Sequence, residues 1–147
     1  MKLGPRLKNW LPAIAWACVI SVLSTDAFSN EHTSVFIIPV LRWMFPHASA
    51  ETLELMNTFI RKTAHLTEYF MLSILLMHGL RGKDHVWMLR WAIWAVAMAA
   101  GYAALDEFHQ AFVPSRGPSA WDVLLDTTGA AVAQIVLWLR QLSRMRE

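Results

Sequence analysis

Long apolar runs alternate with short polar breaks along this chain. Four runs can be drawn, at residues 9–23, 56–80, 86–112 and 121–139. Crossing a bilayer takes about 20 mostly apolar residues, so the first run borrows flanking residues within 7–25. Lipid offers no partner to bare backbone groups, so each run is expected to be a helix. The pattern predicts one all-α membrane domain over residues 1–147 with four transmembrane helices. The long connection after the first run holds a further apolar segment, 34–45 (SVFIIPVLRWMF), which contains Pro39 and is too short to cross. It is expected to lie in the interface or to re-enter as a lid, with Arg42 and Trp43 at headgroup depth. Simple packing over the helix ends is an equal expectation. Just after it, Ser49 is placed to cap the amides that open the second run.

Composition supports a membrane reading. The chain is 56% hydrophobic and 16% charged, with eight Trp and eight Met, more apolar surface than a soluble domain of this size uses. Trp suits a membrane boundary, where one end of the ring is apolar and the other wet. The lone Cys18 excludes an intramolecular disulfide and any Cys-based metal site. A net charge of +2, spread over loops and termini, gives nucleic-acid binding no support.

Basic residues set the expected orientation. With the N-terminus cytoplasmic, Lys2, Arg6, Lys8, Arg81, Lys83, Arg90, Arg140, Arg144 and Arg146 fall inside, and Arg42, Arg61, Lys62 and Arg116 outside, nine against four. Both termini are then cytoplasmic. Lys2, Arg6 and Lys8 ahead of a short apolar stretch also fit a cleaved signal peptide. Thr25-Asp26-Ala27 is a poor cleavage site, so retention is expected, and either outcome leaves the later spans in the same orientation.

The runs share one anomaly at their outer ends. Ionisable groups are costly in hydrocarbon, so a converging set of them reads as a functional site. At 100° per residue, Arg61, His65 and Glu68 fall on one helical stripe, with Lys62 and Tyr69 on the next. On the third run Tyr102, Asp106 and Gln110 share a face, flanked by Glu107 and His109. On the fourth, Asp122, Asp126 and Gly129 share a stripe that continues to Ala133, a thin face open to close approach. A turn rich in Pro and Gly carries Arg116 between the last two runs. Ion pairs from Arg61 or Lys62 to Asp106, Asp122 or Asp126 would pin the helices together, and for Asp126, a turn deeper, that structural role is the favoured expectation. The Trp residues are most cheaply read as interface or packing residues. The cluster nevertheless holds more charged groups than two pinning pairs need.

Three segments in this order, Arg61-Lys-Thr-Ala-His65-Leu-Thr-Glu68-Tyr69, Asp106-Glu-Phe-His-Gln110, and Arg116 followed by Asp122-Val-Leu-Leu-Asp126-Thr-Thr-Gly129, resemble the VanZ-like family of small bacterial membrane proteins. The resemblance covers roughly Trp10 to Leu139. It implies a multi-pass protein of the bacterial inner membrane with the motif residues at its outer face. For the founding member it implies lowered susceptibility to the lipoglycopeptide teicoplanin.

Three function classes follow. In the first, Arg61, Lys62 and Arg116 clasp a phosphate or carboxylate while Tyr69, Asp106, Gln110, Asp122 and Asp126 orient them and bind a polar headgroup. The partners would be the bilayer itself and a lipid-linked envelope precursor or a lipoglycopeptide. In the second, a membrane-embedded hydrolase or transferase acts on a lipid phosphate, with His65 as general base or nucleophile oriented by Glu68 or by a carboxylate from another helix. A metal variant would use His65 and Glu68 with Asp106 or Glu107, but a tight ligand signature is missing, and no metal or cofactor is expected. In the third, the protein is a structural or assembly subunit whose charges bind partner helices.

Overall fold

A computed structural model describes residues 5–26, 29–82, 86–112 and 119–146, with the side chains of residues 5, 6, 30 and 31 left aside. The described residues are all-α and form five helices: α1 (Pro5–Leu23), α2 (Asn30–Met44), α3 (Ala50–Arg81), α4 (Leu89–Gln110) and α5 (Ala120–Arg144). Among the described residues there is no strand. The segment 34–45 lies almost wholly in α2, a 15-residue helix with Pro39 inside it.

By length and composition, Ala120–Arg144 is the one described helix long and apolar enough to cross a membrane. The shorter apolar stretch Leu7–Leu23 lies within α1. The sequence pattern predicts four such helices, and the reason for the difference is local. The 32 residues of α3 make it about 48 Å long, but its first 19 residues carry Glu51, Glu54, Arg61, Lys62 and Glu68. Similarly, α4 holds Arg90 at one end and Asp106 and Glu107 at the other. The charges that create the site dilute the apolar signal of the helices that carry them.

Helix α3 is the centre of the bundle and packs on each of the other four. It opens at Ser49, whose side chain accepts a hydrogen bond from Thr52 N at 3.1 Å, so the cap expected from sequence is formed. It closes at Gly82 with φ 61°, a left-handed conformation that suits glycine. The core is made of Tyr69, Leu72, Leu76 and Met77 from α3, alanines from α4 and α5, and Ala13 and Ile20 from α1. Ala95, Ala99 and Ala103, spaced four apart, are fully buried. Such a stripe lets helices approach closely where packing rather than water exclusion must hold them.

Helices α3 and α5 approach closely at Gly129. A Cβ there would lie 2.3 Å from the Leu66 carbonyl oxygen, so the thin face expected of α5 is used at full closeness. One turn further along, Gln134 donates from Nε2 to Ser73 Oγ at 2.8 Å and to its carbonyl oxygen at 3.1 Å, while Ser73 Oγ donates to Ala130 O. Close backbones and a buried amide bind these helices together. Large apolar side chains, among them Phe36, Trp43, Phe59, Trp94, Phe108 and Trp121, stand exposed around the bundle. Soluble monomers rarely show apolar surface on that scale.

Candidate functional site

The polar stripe of α3 faces into the bundle. Arg61, His65 and Glu68 line a cavity of about 180 Å³, with Asp106 of α4 contributing a further wall. Ser24, just past the end of α1, and Thr33 of α2 complete its polar lining. Ile20 and Leu23 of α1, Ile37 of α2, and Ile60 and Ala64 of α3 supply apolar walls. Four helices therefore meet at one chamber, and α2 covers it. That helix has a division of faces: Thr33 and Ile37 line the cavity and Leu41 is buried, whereas Val35, Phe36, Val40 and Trp43 are exposed. Ile60 and Ala64, on the apolar side of the turns of α3 that carry Arg61 and His65, are part of the cavity wall.

Behind the lining stands a second layer of predicted residues. Asp126, 1% exposed, has Oδ1 at 3.7 Å from His65 Nδ1. Gly129 allows this approach, because α5 could not otherwise lie so close to the stretch of α3 that carries His65. Gln110 donates from Nε2 to Asp106 Oδ2 at 2.9 Å and to Ser24 Oγ at 2.7 Å, so one amide ties α4 to the end of α1. Trp16 donates from its indole to the Glu68 carbonyl at 2.9 Å, which is an internal contact rather than an interface role.

Other predicted residues lie elsewhere. Lys62 is half exposed and pairs with Asp122 at 3.0 Å, outside the cavity lining, as a link between α3 and α5. Tyr69 is fully buried in the core, and among the described residues its hydroxyl meets no hydrogen-bond partner. Tyr102 donates to the Ala17 carbonyl and bonds Ser21, fastening α4 to α1. His109 is exposed. Arg116 lies outside the described residues.

Sequence reasoning missed two contributors, Ser24 and Thr33. It also missed the role of a third, Glu107, which it placed only as a flank of the α4 face and an alternative metal ligand. Glu107 is 6% exposed, and its Oε2 accepts a hydrogen bond from Ser119 N at 2.8 Å, where α5 begins. A carboxylate at a helix N-terminus satisfies a bare amide and complements the helix dipole. Its position beside Asp106 carried that signal only weakly. Ser24 and Thr33 sit in polar breaks that give no hint of convergence. Among the described residues, no group of three or more His, Cys, Asp and Glu side chains is placed to hold a metal ion. The metal variant with His65, Glu68 and Asp106 or Glu107 gains no geometric support.

The order and spacing of these segments match the VanZ/LLP1 family over residues 9–141. The chain belongs to the VanZ/LLP1 family. All three motifs, from Arg61 to Gly129, fall inside the VanZ/LLP1 match. No match is found among curated proteins or among solved structures.

Proposed function

We propose that this VanZ/LLP1 protein spans the bacterial cytoplasmic membrane with α1, α3, α4 and α5. Both termini are cytoplasmic, and the cavity sits at the outer face, where it binds the headgroup of a lipid-linked envelope component. The carrying observation is the cavity itself, which gathers Arg61, His65, Glu68 and Asp106 beneath a helix whose other face is apolar. Arginine can hold a phosphate through two parallel hydrogen bonds, and α2 can rest its exposed apolar face in the interface. A volume of about 180 Å³ is below the roughly 300–1,000 Å³ of pockets for drug-sized ligands, so it suits a headgroup better than a whole lipoglycopeptide. Lowered teicoplanin susceptibility would then follow from occupancy or handling of an envelope lipid. Lys62, Asp122 and Asp126 support the site by fixing α3 against α5, and Arg116 is proposed as a second cation.

His65 facing Asp126 supports a second reading, hydrolysis or transfer at a lipid phosphate. A carboxylate beside one imidazole nitrogen orients the ring and strengthens the other nitrogen as a base.

The test is teicoplanin susceptibility in a sensitive host expressing wild type, Arg61→Ala or His65→Ala, with membrane levels matched by immunoblot. Protection by wild type that Arg61→Ala abolishes supports the headgroup site. Loss of protection in His65→Ala with lipid binding retained favours chemistry. No protection by wild type removes the antibiotic role from this chain.

A further inference from the structure

The charges around the cavity do not suit a purely anionic ligand. Of the three cations expected there, Lys62 is engaged with Asp122 outside the lining, and Arg61 is the one Lys or Arg among the described lining residues. Glu68 and Asp106 share the lining with it. Among the described lining residues, with His65 neutral, these groups sum to one positive and two negative charges; with His65 protonated, to two and two. Neither sum leaves a cationic surplus for a bare anion to neutralise. A phosphate dianion brought into this chamber would meet two carboxylates, and like charges brought together disfavour such a ligand.

Resting on the headgroup reading above, we propose that the ligand is zwitterionic: a phosphate carrying a primary ammonium, of the phosphoethanolamine type. The phosphate takes Arg61, and the ammonium takes Glu68 and Asp106. Three donors on an ammonium also match the hydroxyls of Ser24 and Thr33, which can accept from it. Size agrees. The cavity is close to the roughly 150 Å³ that holds benzene, enough for a headgroup this small and too little for a sugar–peptide one. Ile20, Leu23, Ile37 and Ile60 continue the wall in apolar side chains, suited to the first carbons of an attached lipid.

Native mass spectrometry of the full chain in detergent, titrated with phosphatidylethanolamine, phosphatidylglycerol and phosphatidate of matched tails, tests this. Wild type is expected to bind phosphatidylethanolamine at least about tenfold more tightly than either anionic lipid. Glu68→Gln with Asp106→Asn should erase that ranking, and Arg61→Gln should weaken all three lipids. Where the double variant fails to fold, the single variants and the wild-type ranking carry the decision. Competition by free phosphoethanolamine would show that the headgroup alone suffices; competition only by the intact lipid would show that the tails contribute. Either supports the zwitterion. Anionic lipids binding as tightly as phosphatidylethanolamine, with sensitivity to Arg61→Gln, would overturn the zwitterion and leave the headgroup site standing. Binding that responds to none of these variants would overturn both.

Discussion

Replacing Gly129 with alanine adds one methyl group at a close approach of two helices. Its Cβ would lie 2.3 Å from Leu66 O and 3.1 Å from Leu66 C, against the 3.4–4 Å of ordinary contact. The obstructing atoms belong to backbone, so no side chain can rotate away, and α3 and α5 must move apart by about 1 Å. Overpacking costs about 1–3 kcal/mol, and a backbone clash belongs at the upper end. Alanine's better helix propensity offsets about 1 kcal/mol, leaving a net loss of about 2 kcal/mol. At roughly 2–4 °C per kcal/mol this lowers Tm by about 4–8 °C. Gly101 is the control, because a Cβ there meets nothing within 4 Å. Gly101→Ala should leave Tm unchanged or raise it by up to about 4 °C. Thermal unfolding of the detergent-solubilised protein, followed by tryptophan fluorescence or by loss of the monodisperse gel-filtration peak, reads both variants. The same displacement would pull Asp126 from His65, so Gly129→Ala should also lose lipid binding. Equal Tm values for the two variants would refute the claim that this close approach holds the site together.

Two further outcomes follow from contacts of contrasting burial. Glu107→Ala removes the acceptor for Ser119 N and should cost about 0.5–2 kcal/mol, while Glu107→Gln keeps a carbonyl acceptor and should lose less; urea or thermal titration of the pair checks the order. Lys62→Ala breaks a pair whose side chains are 52% and 34% exposed, so it should cost only about 0.2–1 kcal/mol, with Lys62→Asp plus Asp122→Lys near wild type in Tm. A loss well above that range in Lys62→Ala would move Lys62 from a linking role into the site.

Local rules acting on neighbouring residues were enough to read much of this chain from its sequence. Helical character, the cap at Ser49, the polar stripe of Arg61, His65 and Glu68, and the thin face at Gly129 all follow from a periodicity of 3.6 residues or from the chemistry of single side chains. The three motifs likewise lie along the chain, which is why VanZ/LLP1 membership could be anticipated. Tertiary structure decided which charges meet. Lys62 and Arg61 are adjacent in sequence, yet a turn of about 100° sends one to Asp122 and the other into the cavity. Asp126, assigned a pinning role by depth alone, faces His65 because Gly129 lets α5 lie against Leu66. Glu107, beside Asp106, turns instead to the start of α5, and Ser24, just past α1, and Thr33 of α2 join the chamber. Periodicity places a residue on a face of its own helix; which partner that face meets depends on how the helices pack, and that is set by contacts far apart in the chain.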